Sequence, residues 1–107
     1  MGDEMSRMIK CISPIDGSVY AERPALSSSQ ASAAVAKATK AQTDWAARPL
    51  AERIALVRAA KDKLNAMKDR VVTELAWQMG RPIRYGGEFG GFNERVEYMA
   101  GIAENAL

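Results

Sequence analysis

The chain has 107 residues, of which 48% are hydrophobic and 26% charged, so it is long enough for one domain with a thin core. A net charge of +2 and the absence of a long apolar run argue against nucleic acid and membranes as partners. With one cysteine the chain cannot form an internal disulfide framework, and a reducing, cytoplasmic setting is expected. Because it has no histidine, a Ser-His-Asp triad, a Cys-His pair and an imidazole metal site are excluded in this chain.

The first predicted element is a β-hairpin over residues 8–22. Two short runs with β-branched and aromatic residues flank the sequence Ser13-Pro14-Ile15-Asp16-Gly17. Proline, aspartate and glycine in this order are typical of a tight turn, so we interpret Pro14 and Gly17 as structural residues. A lone hairpin is marginally stable in water, and we therefore expect this one to pack against helices or to belong to a larger sheet.

Two features near the N-terminus resemble sites of chemistry, and both have simpler explanations. Cys11 lies inside the first run, where a half-buried strand residue is expected rather than a reactive thiol, because no basic group is fixed beside it. Residues 1–6 match the N-myristoylation pattern at Gly2 and Ser6. So short a pattern is easily met by chance, and no polybasic second anchor accompanies it.

A helix is predicted over residues 28–46. Ser27 and Gln30 form a capping-box pattern immediately before it. Its apolar face is rich in alanine, which permits the close approach of another helix, and Trp45 supplies bulk at one end. We interpret Trp45 as a core residue rather than as a ligand-stacking aromatic. The face consists of Ala31, Ala34, Val35, Ala38, Ala41 and Trp45.

Two further helices are predicted over residues 49–66 and 68–79. Pro49 suits the first turn of the earlier helix. Gly80 followed by Pro82 is a helix stop signal, and we therefore interpret Gly80 and Pro82 as structural residues. The apolar stripe changes phase after Asn65, which predicts a break near residues 65–69. The first stripe is Leu50, Ile54, Val57, Leu64 and Met67, and the second is Val71, Val72, Leu75, Ala76 and Met79.

Residues 81–92 interleave arginine, tyrosine and phenylalanine with paired glycines. They lack the G-K-[ST] of a phosphate loop, and no predicted strand precedes them as a dinucleotide fingerprint requires. We interpret them as a flexible connector in preference to a single-stranded RNA-binding element, which stays a distant alternative.

A last helix is predicted over residues 91–105. Glu94 and Glu97 are expected to be solvated rather than to form an acid/base pair. The apolar face consists of Phe92, Val96, Met99, Ile102, Ala103 and Leu107. The predicted fold class is therefore mainly α with an N-terminal β-hairpin.

Several of these pieces, taken in order, resemble the N-terminal segment of the NAD(P)-dependent aldehyde dehydrogenase superfamily. The family's N-P-x-x-G turn appears as S-P-I-D-G, with Ser13 in place of asparagine, and its A-V-x-x-A-x-x-A-x-x-x-W helix ends at Trp45. The E-R-x-x-x-L opening of the next helix begins at Glu52 and Arg53, and this match marks Arg53 as a structural residue.

The later pieces follow in the same order. The family's G-K-P close appears as Gly80-Arg81-Pro82, with arginine replacing lysine, and its acidic residue and Tyr-x-Ala ending are matched by Glu88 and Tyr98. The resemblance runs from about residue 12 to residue 103. It implies that residues 1–107 form a partial domain at the N-terminus of an α/β fold with a Rossmann-like cofactor domain.

The resemblance brings structural residues but no active site. It implies that the whole enzyme oxidises an aldehyde to a carboxylic acid with NAD or NADP, whereas this chain holds no catalytic, cofactor-binding or metal-binding residue. Cys11 does not correspond to the family's nucleophile, so no turnover is expected from the chain alone. The residues interpreted as structural are Pro14, Gly17, Trp45, Arg53, Leu64, Gly80 and Pro82.

Two hypotheses of function therefore stand at this point. The chain is the leading segment of an aldehyde dehydrogenase, with the remainder of that fold as its partner, or it is a free-standing helical interaction module derived from such a segment. A homo-oligomer, most simply a symmetric dimer with helix faces packed across its axis, is expected because the chain is too short to cover all its apolar positions, whereas a well-folded monomer would favour the interaction module. The positions in question are Val71, Leu75, Met79, Val96, Met99 and Ile102.

Overall fold

A computed structural model describes residues 7–107, and the myristoylation pattern at Gly2 and Ser6 lies outside the described residues. The predicted fold class is confirmed: helices predominate and follow an N-terminal antiparallel hairpin. In chain order the elements are β1 Met8–Ile12, β2 Val19–Pro24, α1 Ser28–Ala47, α2 Leu50–Ala66, α3 Lys68–Met79, a 3₁₀ turn Ile83–Glu88 and α4 Phe89–Ala106.

The hairpin turn closes through a small set of backbone hydrogen bonds around a buried serine. The Ser13 N–H donates to the Ser18 carbonyl (2.8 Å), and the Gly17 N–H donates to the Ser13 carbonyl (2.9 Å). The Asp16 carboxylate accepts from both the N–H and the hydroxyl of Ser18, as expected of aspartate in a turn. Pro14 and Gly17 thus lie in the turn that the sequence predicts.

The hairpin rests on α3, which gives a marginal two-stranded sheet its support. The Tyr20 ring stacks on the Trp77 ring with centroids 6.4 Å apart. Half-buried Cys11 donates its thiol to the Gln78 carbonyl, with sulfur and oxygen 3.7 Å apart. The structure therefore confirms Cys11 as a half-buried strand residue that packs on a helix.

Helix α1 is capped as predicted, but no other element covers its alanine-rich face. The Ser27 hydroxyl accepts from the Gln30 N–H (3.2 Å), and the Gln30 side chain accepts from the Ser27 N–H (2.9 Å). Every residue from 28 to 44 is nevertheless exposed, and Trp45 is half-buried. Alanine-rich sequence satisfies its backbone within the helix, so the helix forms while its face stays uncovered.

The predicted break between the second and third helices is confirmed. Met67 separates α2 from α3 with φ −97° and ψ 9°, and its N–H donates to the Leu64 carbonyl (3.0 Å). Gly80 then ends α3 in the left-handed conformation, with φ 73° and its N–H on the Ala76 carbonyl (3.0 Å). The stop signal in the sequence therefore corresponds to a glycine C-cap.

The expectation of a flexible connector over residues 81–92 is wrong. The segment forms a 3₁₀ turn, and α4 begins at Phe89, two residues before the predicted start. Gly86, Gly87 and Glu88 all have left-handed φ values, of 67°, 58° and 71°. Gly87 is buried against α3, so the paired glycines let the backbone turn and pack closely on that helix.

The hydrophobic core is small. Among the described residues only Val72 and Phe89 are buried apolar side chains. The radius of gyration is 18.4 Å, whereas a compact chain of this length has about 13 Å. The apolar stripes of the helices thus remain largely on the surface, and the chain does not close around one core.

Candidate functional site

Metal-ligand side chains are not clustered among the described residues. Within residues 7–107, no three His, Cys, Asp or Glu side chains are grouped so as to hold a metal ion. Cys11 lines a hollow of about 280 Å³ together with Lys10, Arg23 and Gln78. The thiol donates to a backbone carbonyl, and among the described residues the hollow is lined by the cations Lys10 and Arg23 but by no histidine or carboxylate that could act as a general base.

No helix in the described part of the chain is both long and apolar enough to cross a bilayer.

Helices α2 and α4 pack as a pair, and the two sides of this pair differ in polarity. On the polar side the Asn65 and Asn93 amides donate to each other, at 2.7 and 2.8 Å. Glu97 accepts from Lys61 at 2.7 Å and from Arg58 at 3.2 Å. The expectation that Glu97 is merely solvated is therefore wrong, because it ties α4 to α2.

The Glu97 contacts predict a pH dependence of stability. The hydrogen bond from Lys61, followed by that from Arg58, holds the pKa of the Glu97 carboxyl below its usual range. Because the folded pKa is depressed, the stabilisation is fully present above the unfolded pKa of about 4.3 and is lost as the pH falls through the folded value. We expect carboxyl NMR titration to show Glu97 titrating at a lower pH than in a Lys61→Met variant, and identical curves would contradict the assignment.

On the other side of the pair lies an apolar groove of about 400 Å³, which we call the α2–α4 groove. The end of α1 closes one end of it, and α2 and α4 supply its walls. Its apolar lining includes Trp45, Leu50, Ile54, Val57, Phe92, Val96, Met99 and Leu107. Arg53 and Arg95 also line it, and no aspartate or glutamate side chain of the described residues does.

Three arginines surround the Trp45 end and the walls of the groove. Arg48 lies over the Trp45 ring at 6.0 Å from its centroid and pairs with Glu52 at 3.3 Å. Arg53 donates its Nε–H to the Arg48 carbonyl (3.2 Å). Within residues 7–107, neither Arg53 nor Arg95 has a carboxylate at ion-pair distance.

In and before the 3₁₀ turn, Arg81 and Arg84 contact other side chains of the same segment, in contrast to the arginines that line the groove. Arg81 pairs with Glu88 at 2.6 Å and lies 5.2 Å from the centroid of the Tyr85 ring. Arg84 lies 5.0 Å from the same centroid and donates to the Tyr85 hydroxyl (3.1 Å). These side chains contact one another, so the segment shows no row of free aromatic faces of the kind that single-stranded RNA binders present.

The structure divides the residues interpreted as structural between four places. Pro14 and Gly80 meet at the end of α3, where a Cβ atom built on Gly80 would lie 3.3 Å from Pro14 Cγ, and Pro82 follows before the 3₁₀ turn. Leu64 lines a second apolar cavity of about 210 Å³ with Val71, Phe89 and Phe92. Gly17 lies in the hairpin turn, and Trp45 and Arg53 line the α2–α4 groove.

Sequence reasoning missed Arg95, Phe89 and the asparagine pair. Arg95 carries no motif, and Phe89 was placed in a connector because the glycines around it mask the start of the helix. Asn65 and Asn93 offer a signal in retrospect: an asparagine beside the apolar stripe of each of two helices is typical of a buried polar pair between them.

Comparison with known proteins gives a consistent result. The sequence model of the aldehyde dehydrogenase family matches residues 1–107. The chain is 39% identical over 69 residues to the vanillin dehydrogenase of Corynebacterium glutamicum, a match that covers 64% of this chain and 14% of that protein. It is 34% identical over 70 residues to the N-succinylglutamate 5-semialdehyde dehydrogenase of Chromohalobacter salexigens, covering 65% and 14% respectively.

A third relative is the 3,6-anhydro-alpha-L-galactose dehydrogenase of Streptomyces coelicolor, 30% identical over 81 residues, or 76% of this chain and 16% of that protein. No solved structure matches the chain at a significant level. The match to each of these relatives thus covers about one sixth of the relative or less. Because the family match extends over its whole length, the chain belongs to the aldehyde dehydrogenase family.

Proposed function

We propose that this chain serves as the N-terminal structural segment of an NAD(P)-dependent aldehyde dehydrogenase. The observation that carries the proposal is the uncovered state of its helices in a chain that matches the family throughout. Apolar stripes on α1, α2 and α4 need cover, and the rest of an aldehyde dehydrogenase fold would provide it. Oxidation of an aldehyde would then depend on the nucleophile, base and cofactor site of the other part of the enzyme.

The described residues do not fit a dinucleotide, and this supports a scaffolding role. Paired glycines are the feature closest to a phosphate-binding loop, yet Gly87 is packed against Val72 rather than open to a ligand. The segment before them ends a helix and not a strand. We therefore assign no cofactor contact to this chain and place NAD or NADP in the rest of the enzyme.

A chimaera tests the structural role. The 69 residues of the C. glutamicum vanillin dehydrogenase that match this chain would be replaced by their counterpart here, with a deletion of the same residues as the control. We expect the chimaera to be purified folded and to retain vanillin dehydrogenase activity, while the deletion is insoluble or inactive. If the two proteins behave alike, the segment does not serve as a scaffold.

The chain by itself is expected to be inactive. Calorimetric titration of the 107-residue chain with NAD⁺ and NADP⁺ should give no saturable binding, and a broad aldehyde panel should give no turnover. The reason is that the chain has no histidine and that no carboxylate among the described residues lines the hollow around Cys11, so no side chain is placed there to act as a general base. Turnover that a Cys11→Ser substitution abolishes would overturn the proposal.

We further propose that the whole enzyme is cytoplasmic and homo-oligomeric. A single half-buried cysteine supports a reducing compartment. Light scattering behind a sizing column measures the assembly. The alternative of a free-standing interaction module has less support, because such a module would need to cover its own core, and α1 lies exposed from residue 28 to residue 44.

A further inference from the structure

We propose that the α2–α4 groove is the docking site of an amphipathic helical segment that carries carboxylates beside an aliphatic face. The segment would come from the remainder of the aldehyde dehydrogenase polypeptide, and in this respect the inference rests on the proposed function. It adds the position on this chain at which that remainder docks and the chemistry that the docking requires.

The shape of the groove favours a helix over a small ligand. Its lining is open to solvent: Met99 is 56% exposed, Val57 43% and Leu107 80%. Small-molecule pockets enclose most of their ligand, whereas an open apolar trough is the usual receptor for the apolar face of a helix. The α4 wall, from residue 92 to residue 107, extends about 22 Å, which corresponds to roughly four helical turns.

The charge of the groove favours an acidic partner. Arg53 and Arg95 line it, and among the described residues neither meets a carboxylate. Arg53 is half-buried, and within residues 7–107 its Nε–H has an acceptor but its terminal nitrogens have none, so these nitrogens are available. A carboxylate entering beside the aliphatic face would form charge-assisted hydrogen bonds with these guanidinium groups.

The same charges disfavour a second copy of this chain as the occupant. In a two-fold contact the patch meets itself, so the two arginines of each copy would face a groove that no aspartate or glutamate side chain of the described residues lines. Two of the nearby acids are already engaged, because Glu52 pairs with Arg48 and Glu97 pairs with Arg58 and Lys61. Oligomerisation would therefore use other surfaces.

Trp45 provides a direct probe, because it lines the groove while Trp77 stacks on the hairpin. In the 107-residue chain carrying Trp77→Phe, Trp45 is the one remaining tryptophan. The probe ligand is a 16-residue helical peptide with leucines at positions i, i+3, i+4 and i+7 and glutamates beside them, and its control has lysines in place of the glutamates. We expect the acidic peptide to shift Trp45 emission saturably to the blue and to bind at least tenfold more tightly than the basic one.

Charge reversal in the groove gives the decisive comparison. Arg95→Glu, at an exposed position, and the double variant Arg53→Glu with Arg95→Glu should lose this preference, and the double variant should reverse it. The matched control is Lys37→Glu with Lys40→Glu, two exposed cations on α1 that do not line the groove. Circular dichroism verifies that each variant is helical.

Three results would overturn the inference: equal binding of both peptides, no saturable shift in the folded chain, or a Trp45 shift that appears without peptide as the chain is concentrated. The last would place a second copy in the groove. The measurement uses neither aldehyde nor cofactor, so a negative peptide result leaves the outcome of the chimaera experiment unaffected. Conversely, an inactive chimaera overturns the scaffold role without altering the peptide preference.

Discussion

Replacing Gly87 with alanine is expected to lower the free energy of unfolding by about 3 kcal/mol. A Cβ atom at this position would lie 2.8 Å from Val72 Cγ2 and 3.3 Å from Val72 Cα, so both a buried side chain and the α3 backbone oppose it. The φ of 58° adds the cost that a left-handed conformation imposes on any residue with a Cβ. Urea unfolding followed by circular dichroism measures the loss.

Gly86→Ala is the matched control. Gly86 has a similar φ of 67°, but a Cβ there would meet nothing nearer than Lys68 Cε at 3.9 Å. This variant should cost only the conformational term, about 1 kcal/mol, because the space beside it is free. Equal losses in the two variants would mean that the 3₁₀ turn does not pack on α3, and the connector would then be flexible after all.

The position of Gly87 illustrates what sequence reasoning could and could not reach. Local signals were reliable where one or two residues determine the backbone: the Ser27 and Gln30 capping box, the break at Met67 and the Gly80 C-cap all occur as predicted. The paired glycines were ambiguous, because glycine permits a flexible loop and a tight backbone contact equally well. Only the presence of Val72 across the contact decides between them.

The burial of the helices was predicted less well than their existence. Helical periodicity shows that a helix has an apolar face, but it carries no information about what covers that face. The alanine face of α1 and the Met99 side chain on α4 are apolar as predicted, yet the described chain leaves them exposed. The exposure of Met99 agrees with the expectation that the chain is too short to cover all its apolar positions, whereas α1 lacks the close helix approach that its alanine face permits.

The candidate site follows the same pattern. Arg53 was recognised from its place in a family motif, and its role at an apolar groove became visible only when α4 brought Arg95 to the same surface. Glu97 was expected to be solvated because it shares the outer face of the last helix with Glu94, whereas its partners Arg58 and Lys61 lie on another helix. Contacts between helices that are distant in sequence decide the function of both residues.

Truncating Phe89 to alanine is expected to be the most damaging substitution in the described chain, with a loss of about 3–5 kcal/mol in the free energy of unfolding. Phe89 is 4% exposed and is one of two buried apolar side chains among these residues. It borders the cavity of about 210 Å³ shared with Leu64 and Val71, so the space left by the ring would join an existing void. A larger void loses more packing contacts, which places the cost toward the upper end of the range.

Phe92→Ala separates the effect of burial from that of the aromatic contact. The Phe89 and Phe92 rings meet edge to face, with centroids 6.4 Å apart and planes at 81°, so either truncation removes this pair. Phe92 is only half-buried, and its loss should cost about 1–2 kcal/mol. Urea unfolding of both variants beside the parent chain measures the difference. If Phe92→Ala destabilises the chain as much as Phe89→Ala, the contact between the two rings accounts for the stabilisation, and the burial of Phe89 at the start of α4 adds nothing to it.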